Sequence, residues 1–217
     1  MPRIIAGALG GRTIPAPPSS ATRPTSDRVR EAIFSRLSGW DAIAGRRVLD
    51  VYAGTGALAF EALSRGAEEA DLVEAHARTA RRIEQTARDL GIAERCRVHA
   101  ARAESAVGTL VDAVTAGRAR PFGLVLLDPP YDVPTADVEA LVAALAPALD
   151  PDAVVVVERS ARSTPLSWPA GCADDGTKTY GETVVQYGGP DAGDTAEDTA
   201  DGSADDDGDG PVATVAP

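Results

Sequence analysis

The sequence predicts an α/β fold in which a mostly parallel sheet of seven strands carries helices on both of its faces. From residue 48 onward, short apolar runs alternate with longer amphipathic segments, which is the pattern of strands joined by helical crossovers. One strand leads into a glycine turn, and another leads into an Asp-Pro-Pro-Tyr tetrapeptide. Both features fall at the carboxyl ends of strands, where open α/β sheets bind their ligands.

An N-terminal extension and a first helix precede this alternation. Residues 4–6 and 12–14 flank a glycine-rich stretch, so we expect them to pair as a short hairpin. Thr25 or Ser26 can cap a helix that runs to about Leu37. Four apolar residues recur at helical spacing within it and should face the core: Val29, Ile33, Phe34 and Leu37.

The strands and helices of the sheet domain follow in order. Strands are expected at residues 48–52, 71–74, 98–101, 124–127, 153–158, 177–180 and 183–187. Helices are expected at residues 57–65, 76–90, 104–116 and 135–149. The alternation favours parallel pairing with right-handed crossovers. No helix separates the last two strands, so one of them should be antiparallel.

The first strand ends in a glycine turn, Gly54–Gly56, that leads into a helix. Glycine lets the backbone approach a ligand closely, and the start of a helix offers unpaired N–H groups. Asp50, near the end of this strand, can accept hydrogen bonds from a cationic amine. Glu74 ends the second strand, about twenty residues past the first glycine, where a carboxylate commonly holds ribose hydroxyls.

Two nucleotide cofactors fit this turn, a dinucleotide and S-adenosylmethionine. Asp50 would repel a pyrophosphate but attract an ammonium group, which favours S-adenosylmethionine. The Asp-Pro-Pro-Tyr segment has no role in hydride transfer, whereas it suits the methylation of an amine. S-adenosylmethionine is therefore the predicted cofactor, and a nucleotide-binding oxidoreductase is an alternative. Tyr52 is expected to line the cofactor pocket, with core packing as its alternative role.

Asp128, Pro129, Pro130 and Tyr131 follow an apolar strand and are the predicted catalytic residues. The prolines lack N–H groups and end the sheet ladder, and their fixed φ angles stiffen the turn. A carboxylate, a rigid carbonyl and a flat ring are then held at one point. Together they can bind a planar base that bears an exocyclic amine. An ordinary Pro-Pro turn at a strand end is the alternative interpretation.

These motifs resemble those of the RsmD-type methyltransferases, which act on bacterial small-subunit ribosomal RNA. The similarity spans about residues 2–188 and rests on blocks at residues 23–34, 50–58, 61–67, 128–131 and 180–183. The resemblance implies a Rossmann-like class I S-adenosylmethionine-dependent methyltransferase. It further implies that the exocyclic N2 amine of one guanine in 16S ribosomal RNA is the target, presented in a small-subunit particle. A DNA amino-methyltransferase and an enzyme for a small-molecule or protein amine are alternatives.

One position departs from the family pattern. Such enzymes often place Asp-Ala or Asn-Ala after the third strand, where the acid or amide holds the adenine amine of the cofactor. Here the pair is Arg102-Ala103. The resemblance therefore implies that Ala103 contributes to the cofactor site and that adenine is recognised through backbone groups.

The charge of −12 is distributed very unevenly along the chain. Residues 191–217 hold nine acids and no base, and without them the balance is 24 acids against 21 bases, a net charge of −3. Residues 1–36 hold six arginines and two acids. We expect three of these arginines to contact RNA phosphates, with a solvated surface as the alternative: Arg23, Arg28 and Arg30.

These patterns predict a basic extension at residues 1–24, a catalytic domain at residues 25–189 and a disordered acidic tail at residues 190–217. No apolar run approaches the twenty residues of a membrane span. The two cysteines and two histidines are isolated, so neither a metal site nor a disulfide framework is predicted. We expect a cytoplasmic protein, and nothing in the sequence requires more than a monomer.

Overall fold

The computed structural model describes residues 2–15 and 27–191, and within them it confirms the predicted seven-stranded α/β fold. The helices are α1 (Asp27–Gly39), α2 (Ala57–Ser64), α3 (Ala77–Leu90), α4 (Ala103–Thr115) and α5 (Thr135–Leu145). The strands are β1 (Arg47–Val51), β2 (Glu69–Val73), β3 (Cys96–His99), β4 (Phe122–Leu127), β5 (Leu149–Ser160), β6 (Cys172–Tyr180) and β7 (Thr183–Pro190). Short 3₁₀ turns lie at Ala93–Arg95 and Ala146–Ala148.

The strand order across the sheet is β3-β2-β1-β4-β5-β7-β6. Strands β1 to β5 pair in parallel, and β7 lies antiparallel between β5 and β6. The expectation of one antiparallel strand is therefore confirmed. The order reverses between β1 and β4, because β2 and β3 lie on one side of β1 and all later strands lie on the other. Such a reversal opens a crevice at the carboxyl ends of the two strands.

Two apolar clusters cover the two faces of the sheet. Helices α1, α2 and α3 pack on one face, where Phe34, Phe60 and Leu126 belong to one buried cluster. Helices α4 and α5 pack on the other face, where Leu110 and Val125 belong to the second cluster. Every residue of β1 and β4 is buried, which explains the unbroken apolar sequence of β4, whereas β1 also buries Arg47 and Asp50. The two central strands are thus fixed from both sides.

The predicted N-terminal hairpin is present in residues 2–15. Arg3 and Thr13 form an antiparallel bridge, and the Ile4 N–H donates to the Arg12 carbonyl over 2.9 Å. Ile4 and Ile14 are completely buried in the cluster that also holds the apolar faces of α1 and α2. The hairpin is therefore part of the core and is not a separate appendage.

Glu61 of α2 attaches the hairpin to the domain. Its buried carboxylate accepts hydrogen bonds from the Ile5 N–H over 2.7 Å, the Ala6 N–H over 3.1 Å and the Arg65 guanidinium over 2.7 Å. One turn later, Ser64 accepts a hydrogen bond from the Leu9 N–H over 2.9 Å. The hairpin backbone thus supplies hydrogen-bond donors to polar side chains of α2 that would otherwise be buried without partners.

Arg30 occupies the interior beneath this hairpin, so the prediction that it contacts phosphate is wrong. The side chain is 1% exposed, and Nη2 donates to the Asp27 carboxylate over 2.9 Å and to the Arg3 carbonyl. Its Nε lies 4.0 Å from a carboxylate oxygen of Glu61. By contrast, Arg28 is exposed. Arg23 lies outside the described residues, as do the two proposed capping residues of α1.

Several predicted boundaries need correction, and the third strand, expected at residues 98–101, is Cys96–His99, while the sixth, expected from residue 177, begins at Cys172. The helix expected over residues 135–149 ends at Leu145, and Leu149 already belongs to β5. The acidic tail cannot begin at residue 190, because Pro190 pairs with Cys172 in the last two strands and Asp191 donates its N–H to the Gly171 carbonyl over 2.8 Å. Residues 192–217 lie outside the described part of the chain.

We expect Glu61→Ala to lower the free energy of unfolding by about 3–5 kcal/mol, because it leaves buried donors without their charged acceptor. Urea denaturation measures this loss, and amide exchange at Ile5 and Ala6 should accelerate. Glu31→Ala, on the exposed side of α1, is the matched control and should change stability by less than about 0.5 kcal/mol. Equal stabilities of the two variants would contradict the role given to Glu61.

Candidate active site

The strand register brings the predicted site residues to one edge of the sheet. Val51 of β1 is paired with both Val73 and Leu127, which are the last residues of β2 and β4. The next residues along the three strands are therefore level with one another, namely Tyr52, Glu74 and Asp128. In the sequence these residues belong to three separate motifs. The structure brings them together at the crevice between β1 and β4.

The turn after β1 is built from left-handed backbone conformations. Gly54 and Gly56 have φ angles of 55° and 76°, and Tyr52 has a φ of 67° although it is not glycine. At Gly56 a Cβ atom would lie 2.8 Å from the ring of Phe60, so glycine is needed for close packing of α2 on the sheet. At Gly54 a Cβ would meet no atom closer than 3.8 Å. Gly54 thus faces open space that a ligand can fill.

Asp50 is 1% exposed and carries an unsatisfied carboxylate oxygen. Its Oδ2 accepts a hydrogen bond from the Ala59 N–H of α2 over 3.1 Å, whereas Oδ1 is buried without a partner among the described residues. Burial raises the pKa of Asp50 to about 8, and the negative charges of Asp128 and Glu74 add to the effect. A cationic ligand at this point would favour the ionised form.

Glu74 ties the glycine turn to the end of β2. Its Oε2 accepts a hydrogen bond from the Gly54 N–H over 3.0 Å, and its Oε1 accepts one from the His76 N–H over 2.8 Å. The His76 ring also lies within hydrogen-bond distance, at 3.1 Å. A carboxylate oxygen can accept two hydrogen bonds, so Oε2 retains capacity for a ribose hydroxyl.

The Asp-Pro-Pro-Tyr turn follows β4 directly. Asp128 is half-buried, Pro129 is buried and Pro130 is exposed. The Val133 N–H donates to the Pro130 carbonyl over 3.0 Å and closes the turn. The Tyr131 side chain is 64% exposed, so its ring is available for stacking at the rim of the edge.

At the start of α4, Ala103 is buried and Arg102 points outward. The Arg102 side chain is 86% exposed, and its Nε lies 3.8 Å from a carboxylate oxygen of Glu104. It therefore does not replace the acid or amide that holds adenine elsewhere in the family. The first turn of α4 offers backbone N–H groups beside Ala103, and recognition of adenine through the backbone stays a prediction.

The site fits S-adenosylmethionine better than a dinucleotide. The negative charges of Asp128 and Glu74 both act on Asp50 at this edge, and such a cluster suits the positive sulfonium and ammonium groups of this cofactor. A pyrophosphate would face the same three acids and be repelled. The unsatisfied Oδ1 of Asp50 and the open space at Gly54 leave room and a partner for the cationic end.

Within residues 2–15 and 27–191, no group of three or more histidine, cysteine or acidic side chains could hold a metal ion. Within the same ranges, every helix is too short or too polar to cross a membrane.

Arg159 is a site residue that the sequence did not indicate. It lies in β5, is 5% exposed, and donates from Nη2 to the Val133 carbonyl over 2.7 Å. Its charge also interacts with Tyr52 and Asp128. No motif contains it, and the only signal is its place just after the apolar run Val154–Val157.

The fold and this edge define a class I S-adenosylmethionine-dependent methyltransferase. Residues 2–188 match the family model described as Conserved hypothetical protein 95, and the chain belongs to this family. The resemblance to the RsmD-type methyltransferases is thereby confirmed. The chain is 32% identical to Ribosomal RNA small subunit methyltransferase D of Haemophilus influenzae over 186 residues, which are 85% of this chain and 91% of the relative.

Other relatives match over shorter stretches. The enzyme with the same name from Escherichia coli is 50% identical over 72 residues, which cover 33% of this chain and 35% of the relative. A Bacillus subtilis protein, YlbH, is 34% identical over 59% of this chain and 66% of its own length. This chain thus spans less than two thirds of these two relatives.

Among solved structures, a candidate methyltransferase of Escherichia coli, yhhF, superimposes with a TM-score of 0.72 at 29% identity and covers 88% of this chain and 98% of its own. A hypothetical protein of Thermus thermophilus reaches 0.70 at 28% identity, with 86% and 98% coverage. These structures extend the similarity over nearly the whole described chain.

We expect Asp50→Asn to stabilise the protein at alkaline pH and to weaken cofactor binding. The folded-state pKa is raised from 3.8 to about 8, so ionised Asp50 destabilises the fold increasingly as pH rises through this window and not below it. The increase in the free energy of unfolding of the variant over the wild type should be absent near about pH 4. It should reach the order of a few kcal/mol above about pH 8. Urea denaturation at several pH values measures it.

Calorimetry should show that the same variant binds S-adenosylmethionine at least about tenfold more weakly, or roughly 1.4 kcal/mol. The amide can still accept the Ala59 N–H, so the helix contact is kept. A stability difference that does not vary with pH would contradict the shifted pKa.

Proposed function

We propose that this protein uses S-adenosylmethionine to methylate the exocyclic N2 amine of a guanine in 16S ribosomal RNA. The observation that carries the proposal is the exposed ring of Tyr131 beside Asp128 and Pro129, on the same edge as Asp50 and Glu74. Family membership supports it, because the Haemophilus influenzae and Escherichia coli relatives are named as small-subunit ribosomal RNA methyltransferases.

The target amine is a weak nucleophile, because its lone pair is delocalised into the ring of the base. When bound, S-adenosylmethionine supplies a methyl group on a positively charged sulfur, which is already a strong electrophile. The Asp128 carboxylate and the Pro129 carbonyl accept hydrogen bonds from the two N–H groups of the amine. This arrangement withdraws the lone pair from the ring and directs it at the methyl group.

Tyr131 holds the base in this position. Its exposed ring stacks on the flat face of the guanine, a contact worth about 1–3 kcal/mol in comparable complexes. The base must leave its own stack to enter the site. Pro129 and Pro130 narrow the range of separations between the ring and the carboxylate, since their φ angles are nearly fixed.

Each of the proposed cofactor-binding residues meets a different part of S-adenosylmethionine. Asp50 receives the amino-acid end through its unsatisfied Oδ1, and Glu74 receives the ribose hydroxyls. The backbone at Gly54 and Gly56 passes close to the cofactor, and the start of α4 at Ala103 meets its adenine. Tyr52 lines the pocket from the end of β1. No metal is assigned a role in this mechanism.

The arginines of the N-terminal region form the proposed contact with RNA phosphates. Arg3 and Arg28 are exposed and line a surface cavity of about 340 Å³, which Asp27 and Glu31 also line, and Arg3 Nε lies 3.9 Å from the Asp27 carboxylate. Arg23, for which the same role is proposed, lies outside the described residues. We further propose that the substrate is a small-subunit particle in the cytoplasm and that the protein acts as a monomer.

The direct test is a methyl-transfer assay with labelled S-adenosylmethionine on small-subunit particles, naked ribosomal RNA and duplex DNA. We expect N2-methylguanosine in the ribosomal RNA. Label that appears as N6-methyladenine in DNA, with none in ribosomal RNA, would contradict the proposal in favour of a DNA enzyme.

Asp128→Ala should lower turnover by about 10²-fold or more, because it removes an interaction made to the reacting amine. Cofactor affinity should stay within a few fold. The matched control is Asp132→Ala, which removes the same charge from an exposed position of the same turn and should leave turnover unchanged. Equal activities in the two variants would refute the assignment of Asp128.

The proposed binding of RNA phosphates predicts a change in salt dependence. Arg3→Ala combined with Arg28→Ala should weaken RNA binding and reduce the log–log salt slope by roughly 0.7–0.9 for each phosphate that is no longer neutralised. Binding of S-adenosylmethionine should not change. Arg118→Ala, at an exposed position just before β4, is the control and should keep the original slope. An unchanged salt slope in the double variant would show that Arg3 and Arg28 do not contact RNA phosphates.

A further inference from the structure

We propose that Arg159 is a positioning residue for the Asp-Pro-Pro-Tyr turn. Its guanidinium holds the turn from the face of the sheet that α5 covers, and it supplies a positive charge beside Asp128. The proposal rests on the methyltransferase function proposed above, because methyl transfer is its main readout.

The sheet register gives Arg159 its location. Val157 of β5 is paired with Leu127, the last residue of β4. Arg159 lies two residues further along, level with the start of the turn. Alternation along a strand puts it on the same face as Val155 and Val157, which belong to the cluster covered by α4 and α5. The acids Asp50 and Asp128 lie on the opposite face by the same alternation.

A short chain of hydrogen bonds links Arg159 to the turn. Its Nη2 donates to the Val133 carbonyl over 2.7 Å, and the Val133 N–H donates to the Pro130 carbonyl over 3.0 Å. The two bonds join β5 to the segment that carries Pro129, Pro130 and Tyr131. The orientation of the reactive turn therefore depends on a side chain outside the motif.

Burial of this guanidinium is costly. Arg159 is 5% exposed, and its Nε and Nη1 have no hydrogen-bond partner within residues 2–15 and 27–191. One hydrogen bond to a carbonyl offsets only part of a desolvation cost of several kcal/mol. A charged group kept under such conditions beside a reactive carboxylate is typical of functional sites.

The charge matters because the edge is crowded with acids. Asp128 and Glu74 both oppose the ionisation of Asp50, since like charges disfavour one another. Burial lowers the pKa of Arg159, and its electrostatic interactions with Tyr52 and Asp128 offset part of this effect. A cation on the far side of the turn attracts the Asp128 carboxylate, the group proposed to accept a hydrogen bond from the target amine.

Three substitutions separate the hydrogen bond from the charge. Arg159→Lys keeps the charge and a donor for the Val133 carbonyl, Arg159→Gln keeps a donor without the charge, and Arg159→Met keeps neither. Arg162→Met is the matched control, because Arg162 follows the same strand but is exposed and paired with Glu182. Turnover on small-subunit particles, the dissociation constant of S-adenosylmethionine and the melting temperature are measured for each.

We expect Arg159→Met to lower kcat by about 10- to 100-fold, since small misplacements of reacting groups cost that much, with cofactor affinity within twofold. Arg159→Lys should stay within a few fold of the wild type, and Arg159→Gln, which keeps a donor but not the charge, should lie between the wild type and Arg159→Met. Wild-type kcat in Arg159→Met would overturn the proposal, and equal activity of the lysine and glutamine variants would overturn the role of the charge. If Arg159→Met does not fold, the comparison of lysine with glutamine decides.

Amide exchange provides a test that does not depend on the substrate. The Val133 amide should exchange faster in Arg159→Met than in Arg162→Met, because the segment that carries its bond to the Pro130 carbonyl loses the hydrogen bond from Arg159. Equal exchange in all variants would overturn the positioning role. A wild-type protein that transfers no methyl group to ribosomal RNA would refute the proposed function and leave this structural test intact.

Discussion

The site depends on the parallel register of β1 with β2 and β4. This register ends the three strands at the same level, so that Tyr52, Glu74 and Asp128 emerge side by side. A shift by one residue would send each of these side chains to the opposite face. The register is held by strands whose residues are buried on both faces, and the apolar packing around β1 and β4 is therefore what assembles the polar edge.

The sequence predicted the features that depend on local chemistry. Gly54 and Gly56 at a strand-to-helix turn, and two prolines after a strand, have few conformations open to them, and each lies where expected. Features that depend on distant partners were not predictable. Arg30 looked like a surface cation, but its partners lie in the hairpin and in α2, and Arg159 meets a carbonyl 26 residues away.

The limits of helix and strand also show where tertiary contacts outweigh local pattern. The apolar periodicity of α5 continues through residue 149, yet Leu149 pairs with Phe122 and belongs to the sheet. Pro190 looked like the start of an acidic tail, but the pairing of β6 with β7 extends to it. In both places, hydrogen bonds to a neighbouring strand decide where the element begins or ends. The neighbouring strand is too far away in the sequence for a local pattern to reveal it.

The clustered carboxylates also distinguish the cofactor before and after the reaction. S-adenosylmethionine carries a positive sulfur, and S-adenosylhomocysteine, which remains after methyl transfer, does not. S-adenosylhomocysteine keeps the ammonium group proposed to face Asp50, so methyl transfer removes only the charge of the sulfur from beside Asp50, Glu74 and Asp128. The repulsion among these three acids is compensated least in the empty site, and Asp50 is the buried group that takes up a proton there.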